Sequence, residues 1–373
     1  MDGTLGIVGL VVALILVIVV HEFAHFGVAK AFGILVTEFF VGFGRRIWST
    51  RRGETEYGLK WIVAGGYVKI AGMNPYETVA PEDLPRTYGA KPIWQRALVI
   101  VAGPATHFVL AFVLFALWLG LVGEQVPNSP IVSEVAPALG GEPSPASVAG
   151  LQAGDRIVRI GDIEDPLDEE VVAYTREHVG EPIAFVIERD GERFTATIAP
   201  VPATVVGERV GRIGVFLDWA REERGVVGSM AGGANLVWRS VEDIAGNLGR
   251  IFGPQGIGRV AELVFTDAPR EPTDAGSLVA IGQAAGQTAS AGNPADLLAL
   301  FGFVNVVIGF LNLLPLPPFD GGHLAVLAIE KIRGRAVDMR KVIPVSLAVA
   351  TFFIVLTVSF MYLDIVKPIP FGP

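Results

Sequence analysis

Two histidines four residues apart, with a glutamate directly after the first, stand at His21-Glu22-x-x-His25. On a helix, residues four apart share a face, so both imidazoles can reach a single ion. Glu22 sits one step round, where its carboxylate can take a proton from a water without being a ligand. This is the chemistry of the H-E-x-x-H pattern: two imidazole ligands for zinc and a general base beside them. The surroundings sharpen the reading. Leu10–Val20 before it and Phe26–Phe32 after it are apolar or mostly so. Three ionisable side chains in such a run are costly in lipid unless something pairs them, and a bound cation does.

Zinc needs a third protein ligand. The chain has no cysteine, so it must be histidine or carboxylate. The stretch Asn312-Leu313-Leu314-Pro315-Leu316-Pro317-Pro318-Phe319-Asp320-Gly321-Gly322-His323 closes a second long apolar run, and Asp320 is the only carboxylate between Asp296 and Glu330. The prolines keep the backbone ahead of Asp320 out of regular helix, and Gly321-Gly322 allow a sharp turn. Alone, Asp320 reads as the cap of a following helix, His323–Ile332. Beside a histidine pair in another membrane segment, the metal-ligand reading overtakes it.

On these motifs the chain resembles the site-2 proteases, the intramembrane zinc metalloproteases that include the bacterial regulator-of-sigma-E type. Both signatures stand intact: His21-Glu22-x-x-His25 and Asn312-x-x-Pro315-x-Pro317-x-x-Asp320-Gly321. The likeness extends to Gly65-Gly66-Tyr67-Val68-Lys69, Ala102-Gly103-Pro104, a single PDZ-like segment and Gly253-Pro254. The resemblance implies that His21, His25 and Asp320 hold Zn2+, that Glu22 is the catalytic base, and that Asn312 contacts substrate or transition state. Relatives commonly carry Asn where His107 stands, so the chain departs from the pattern there. His107 is an extra ligand, a substrate contact or a packed, hydrogen-bonded histidine.

Composition agrees with the membrane. Of 373 residues 51% are apolar, and the mean hydropathy is +0.51, values of an integral membrane protein. A net charge of −9 argues against nucleic acid as a partner. Spans are expected at about 5–32, 97–122, 295–314 and 343–365. With Asp2 in place of a basic start and so long an apolar run, the first is expected to be an anchor and not a cleaved signal peptide. Arg45, Arg46, Arg51, Arg52, Lys60, Lys69, Arg86, Lys91 and Arg96 fall between the first two spans, and Arg333, Arg335 and Arg340 between the last two. By the positive-inside rule both loops are cytoplasmic, both termini are extracytoplasmic and the site lies toward the cytoplasmic face of the plasma (inner) membrane.

The expected organisation is a polytopic α-helical membrane protein with four transmembrane helices. Residues 1–124 carry spans 1 and 2 with the H-E-x-x-H site and a cytoplasmic-side β-element. Residues 125–202 form an extracytoplasmic PDZ-like α+β domain, 203–294 a linker with one amphipathic helix, and 295–373 spans 3 and 4. The β-element, Glu56–Ile70, reads as a β-hairpin or bent strand about Gly65-Gly66; the resemblance makes it re-entrant beside the site. Within the PDZ-like part, Asp168–His178 is helical, and Ile183–Glu188 and Arg193–Ala199 pair about Asp190-Gly191. Val237, Val241, Ile244, Leu248 and Ile251 stripe the amphipathic helix, expected on the outer membrane surface or on the PDZ-like domain. Ala268–Asn293 reads as a mobile linker.

Cutting a transmembrane helix requires local unwinding, and freed backbone groups in lipid must find partners. Trp61, Gly65, Gly66, Tyr67, Val68 and Ile70 are the expected docking strand for the unwound substrate. By resemblance the substrates are single-span, membrane-tethered regulators of the anti-sigma-factor kind, cut after an upstream site-1 protease has trimmed them. The rival reading is a non-proteolytic PDZ-bearing membrane scaffold or chaperone with structural zinc. An ion transporter is a third. The free Glu22 favours the enzyme.

Overall fold

The computed structural model describes residues 3–369 apart from 206–207, 223, 272–273 and 292–293. They divide into two compact units: one of residues up to Trp118 together with those from Val226 on, and one of Leu119–Gly225.

The first unit begins with helix α1 (Gly3–Ala31), followed by a long antiparallel hairpin of β1 (Val36–Arg52) and β2 (Thr55–Ile70), and then α2 (Ile93–Val122). Segments Val11–Ala31 and Ile93–Val122 are long and apolar enough to cross a bilayer. The hairpin reverses at Gly53, which has a φ of 63°. Gly65-Gly66 lie inside β2 instead of at a turn, and the partner strand, β1, was hidden among the aromatics and arginines of 36–52. Ala29, Ile34, Val36, Ile70, Tyr88, Val99 and Ile100 pack the hairpin's base against α1 and α2.

The second unit contains β3 (Glu124–Val135), β4 (Ala138–Leu139), β5 (Glu142–Pro143), α3 (Pro145–Val148), β6 (Arg156–Ile160), β7 (Ile163–Glu164), α4 (Asp168–Glu177), β8 (Ile183–Arg189), β9 (Glu192–Ile198), β10 (Val201–Val205), β11 (Glu208–Arg212) and β12 (Val215–Glu222). The main sheet runs β12-β3-β6-β8-β9, with β7 paired to β6. Alternation places Ile157, Phe185, Ile187 and Ile198 in one core with Val132 and with Val171 of α4. The β8–β9 turn has positive φ at both Asp190 (51°) and Gly191 (83°), the geometry that Asp-Gly favours. The unit runs past residue 202 because β12 pairs with β3, Glu222 opposite Glu124.

The chain returns to the first unit through α5 (Val226–Phe252), α6 (Pro254–Phe265), α7 (Leu278–Ala291), α8 (Asp296–Asn312), α9 (Asp320–Arg333) and α10 (Ile343–Val366). Met339–Val366 is a third segment able to cross a bilayer by length and composition. At 17 residues, α8 covers roughly 25 Å, short of a hydrocarbon core of about 30 Å. The stripe Val237, Val241, Ile244 of α5 packs on Ala111 and Phe115 of α2 and Val306 of α8, so the helix belongs to the bundle. Much of the expected linker is α7, which packs along α1. Its Gly, Ala and Ser content reads as linker by composition, but small side chains also let helices approach closely in lipid.

Candidate active site

Helix α1 places His21 and His25 one turn apart, with Nε2 of one 3.1 Å from Nε2 of the other. The Oδ2 atom of Asp320 lies 3.3 Å from His21 Nε2 and 3.4 Å from His25 Nε2. Two ligands of a tetrahedral zinc with bonds of about 2.0–2.1 Å are about 3.3 Å apart. The three edges match that value, so these residues fit zinc as they stand. With three protein ligands, a tetrahedral ion keeps one position open, the pattern of catalytic sites.

Asp320 reaches this place because it does not cap a helix. Helix α9 starts at Asp320 itself; its N-cap is Phe319, with no side-chain capping bond, so the carboxylate is left to face the histidines. Gly321 and Gly322 are helical and make no sharp turn. A Cβ on Gly321 would run into the Leu313 and Leu314 carbonyls, and one on Gly322 into Pro317. Their role is to let α9 seat against the proline loop, which fixes Asp320. Gly103 plays a similar part on α2: a Cβ there would strike His25 Nε2 and crowd His21. The α2 backbone thus forms one wall of the metal site.

The remaining nitrogens are also accounted for. His25 Nδ1 donates to the Val99 carbonyl at 2.7 Å, which leaves its Nε2 lone pair for a metal. His21 Nδ1 lies 3.0 Å from His107 Nε2, and His107 Nδ1 lies 3.3 Å from Asn305 Oδ1. Both ring nitrogens of His107 are therefore engaged behind the ligands, and neither is left for a substrate or a metal. Val99 and Asn305 were missed in the sequence because a backbone carbonyl and one apolar-helix asparagine leave no spacing signal, and Gly103 stood out there only within Ala102-Gly103-Pro104, with no role attached.

Glu22 stays outside the ligand triangle. The Val68 backbone N–H bonds to its carboxylate, and a Cβ on Gly66 would sit 3.2 Å from Glu22 Cγ. Strand β2 therefore runs directly beside Glu22, with Val68 next to its carboxylate. Ile70 is buried and paired with Val36, Tyr67 donates its hydroxyl to Glu38 at 2.5 Å, and Trp61 is 69% exposed. The expected docking residues thus divide between the base, the core and the surface. Asn312 is half-buried at the end of α8, seven residues beyond Asn305 and so on the same helical face.

Comparison with known proteins agrees with this geometry. The chain matches peptidase family M50 over residues 9–357. It is 35% identical to the zinc metalloprotease Rip1 of Mycolicibacterium smegmatis, over 98% of each chain. It is 31% identical to the metalloprotease MmpA of Caulobacter vibrioides over 88% of this chain and 87% of that one. With the zinc metalloprotease RasP of Geobacillus kaustophilus it shares 28% over 86% and 88%. With a ligand triangle of zinc dimensions, a glutamate beside it and this likeness along nearly its whole length, the chain belongs to peptidase family M50, the site-2 proteases, as a zinc metalloprotease of the membrane.

Proposed function

We propose that this protein cuts single-span membrane regulators of the anti-sigma-factor kind, within or next to their transmembrane helix, after an upstream protease has trimmed them. The observation that carries it is Glu22: a half-buried carboxylate beside the ligand triangle that contributes no metal ligand. A purely structural site has no use for it. When bound by His21, His25 and Asp320, zinc supplies Lewis acidity toward a peptide carbonyl and water. Glu22 then takes the proton of the attacking water and delivers it to the leaving amine. The Val68 N–H keeps the carboxylate aimed while this happens. Asn312, whose carboxamide has no protein partner among the described hydrogen bonds, is placed to receive the substrate backbone. The unwound substrate lies along the Gly65–Tyr67 stretch of β2, where main-chain groups can take up those it frees.

In this reading α8 is a fourth, short span, both termini are extracytoplasmic, and the active site faces the cytoplasmic side of the plasma membrane. The unit 119–225 is a PDZ-like domain outside it, supported by the Ser144–Ile157 signature and the β12-β3-β6-β8-β9 sheet with α4 packed on its core. Reporters fused after Gly53 and Gly334 are expected in the cytoplasm and one after Gly191 outside. The opposite pattern overturns the orientation. The deciding experiment is cleavage of a panel of transmembrane peptides by the purified protein, with and without chelator. Activity that survives zinc removal, or none with any helix-destabilised peptide, rejects the proposal. Excising Glu124–Glu222, which lie opposite each other at the base of the domain, tests its role. A bulk filter predicts cleavage of untrimmed substrates, and a recruiting domain predicts slower cleavage of trimmed ones.

A further inference from the structure

The two histidine ligands are supported in different ways. Each must present a bare Nε2, so each needs an acceptor for its Nδ1 hydrogen. His25 has the Val99 carbonyl, which no side-chain substitution removes. His21 faces another imidazole, His107 Nε2, and an imidazole nitrogen accepts in only one of the two neutral tautomers. Something must choose that tautomer, and Asn305 does. Its Nδ2 donates to the Phe301 carbonyl at 2.8 Å, one turn back on α8, which turns its Oδ1 toward His107 Nδ1. A carboxamide oxygen can only accept. His107 Nδ1 therefore carries the hydrogen, its Nε2 is bare, His21 Nδ1 donates to it, and His21 Nε2 is left bare beside Asp320. His107 and Asn305 are each 2% exposed, out of reach of bulk water. Gly309, four residues beyond Asn305, allows the close approach: a Cβ there would lie 2.9 Å from His107 Cβ.

We infer that His107 and Asn305 are positioning residues that fix the tautomer and ring plane of ligand His21, a relay whose polarity starts at the Phe301 carbonyl. The inference rests on His21 being a zinc ligand, which His25→Ala tests separately, because His25 lies outside the relay. The experiment is competition for zinc between a chelating dye and the full-length protein in detergent, with no turnover required. His107→Leu is expected to weaken zinc binding about 10- to 100-fold, the range for lost ligand support. His107→Gln, whose carboxamide oxygen falls near the lost Nε2, is expected to restore most of it. Asn305→Ala weakens binding in the parent but adds nothing in the His107→Leu background, since one relay cannot be broken twice. Asn305→Ala and His107→Gln carry the test if the leucine variant does not fold. Parental affinity in His107→Leu or Asn305→Ala overturns the relay, as do a Gln variant as weak as Leu or costs that simply add. If His25→Ala keeps its zinc, the ligand assignment itself fails.

Discussion

In the unit 119–225, the least exposed side chains are Phe185, Ile157, Ile160, Ile187 and Ile198, and its one fully buried carboxylate among the described residues, Asp155, is clasped by Arg189 at 2.6 and 2.7 Å. The helical unit also hides apolar side chains, Ile34, Ile100 and Leu363 among them, but differs in its spans and its buried polar groups. Its apolar spans in α1 and α10 have only 6% of their residues buried, while His25, His107, Asn305, Glu330 and Asp364 are among the hidden groups. The unit 119–225 is held together by removing apolar surface from water. The helical unit has no such drive between its helices in lipid, and packing, small residues and buried polar pairs hold it. The same kind of substitution should therefore do different things in the two units.

The largest effect is expected where a buried polar group does chemistry. Glu22→Gln should lower cleavage of a transmembrane peptide at least 10²- to 10⁴-fold while zinc content stays near the parent's. Asp320→Asn and His25→Ala should lose zinc as well as activity, measured by metal analysis after gel filtration. Equal zinc loss in all three would remove the distinction between base and ligand.

Stability should separate the units next. Phe185→Ala should cost about 3–5 kcal/mol in the unfolding of the sheet unit, read by denaturant titration with a probe in that unit. Ile354→Ala, at a 62% exposed position of α10, should change the detergent melt by less than about 0.5 kcal/mol. A large loss there would mean that α10 packs on a face left bare among the described residues.

A comparable loss is expected from a buried ion pair of the helical unit. Arg270 and Asp364 meet at 2.9 Å with side chains 2% and 0% exposed, and Asp364 also accepts the Ser277 N–H at the start of α7. Arg270→Met should cost about 3–5 kcal/mol by leaving a charge unpaired. Adding Asp364→Asn, which keeps the acceptor and drops the charge, should recover much of it in a thermal melt. No recovery would show that Arg270 acts through its carbonyl contacts to Ala275 and Lys367.

The smallest effect lies at the surface loop nearby. Burial pushes the Asp274 carboxyl up, but the Arg259 guanidinium and the Glu271 backbone N–H outweigh it and hold it below the usual carboxylate range. A depressed folded-state value means stability that is present above the unfolded value near 4 and lost as the pH falls through the folded one. Asp274→Asn should therefore melt below the parent at pH 7, and the gap should close in acid as the pH falls below the unfolded value and through the folded one. A gap that persists there would mean that the carboxylate's charge is not what matters.

The ligand triangle was legible in the sequence because H-E-x-x-H is a helical spacing with a chemical meaning, and Asp320 is conspicuous in an apolar run. The β8–β9 hairpin was legible for the same local reason, an Asp-Gly between alternating strands. What escaped depends on distant partners. The stripe of α5 announced a buried face without saying that α2 and α8 would cover it. Helix α7 was masked by small residues that suit a linker as well as a tight helix contact. The chain from Asn305 through His107 to His21 joins three segments of the sequence, and none of them carries a motif for it.

The position of Asp320 has a consequence for biosynthesis. His21, Glu22 and His25 are synthesised with α1, whereas Asp320 belongs to α9 and is made much later. Until that helix has been made and seated against the proline loop, the histidines hold no complete site. A nascent or truncated chain that carries α1 and α2 but lacks α9 is therefore expected to hold no complete triangle and to cut nothing.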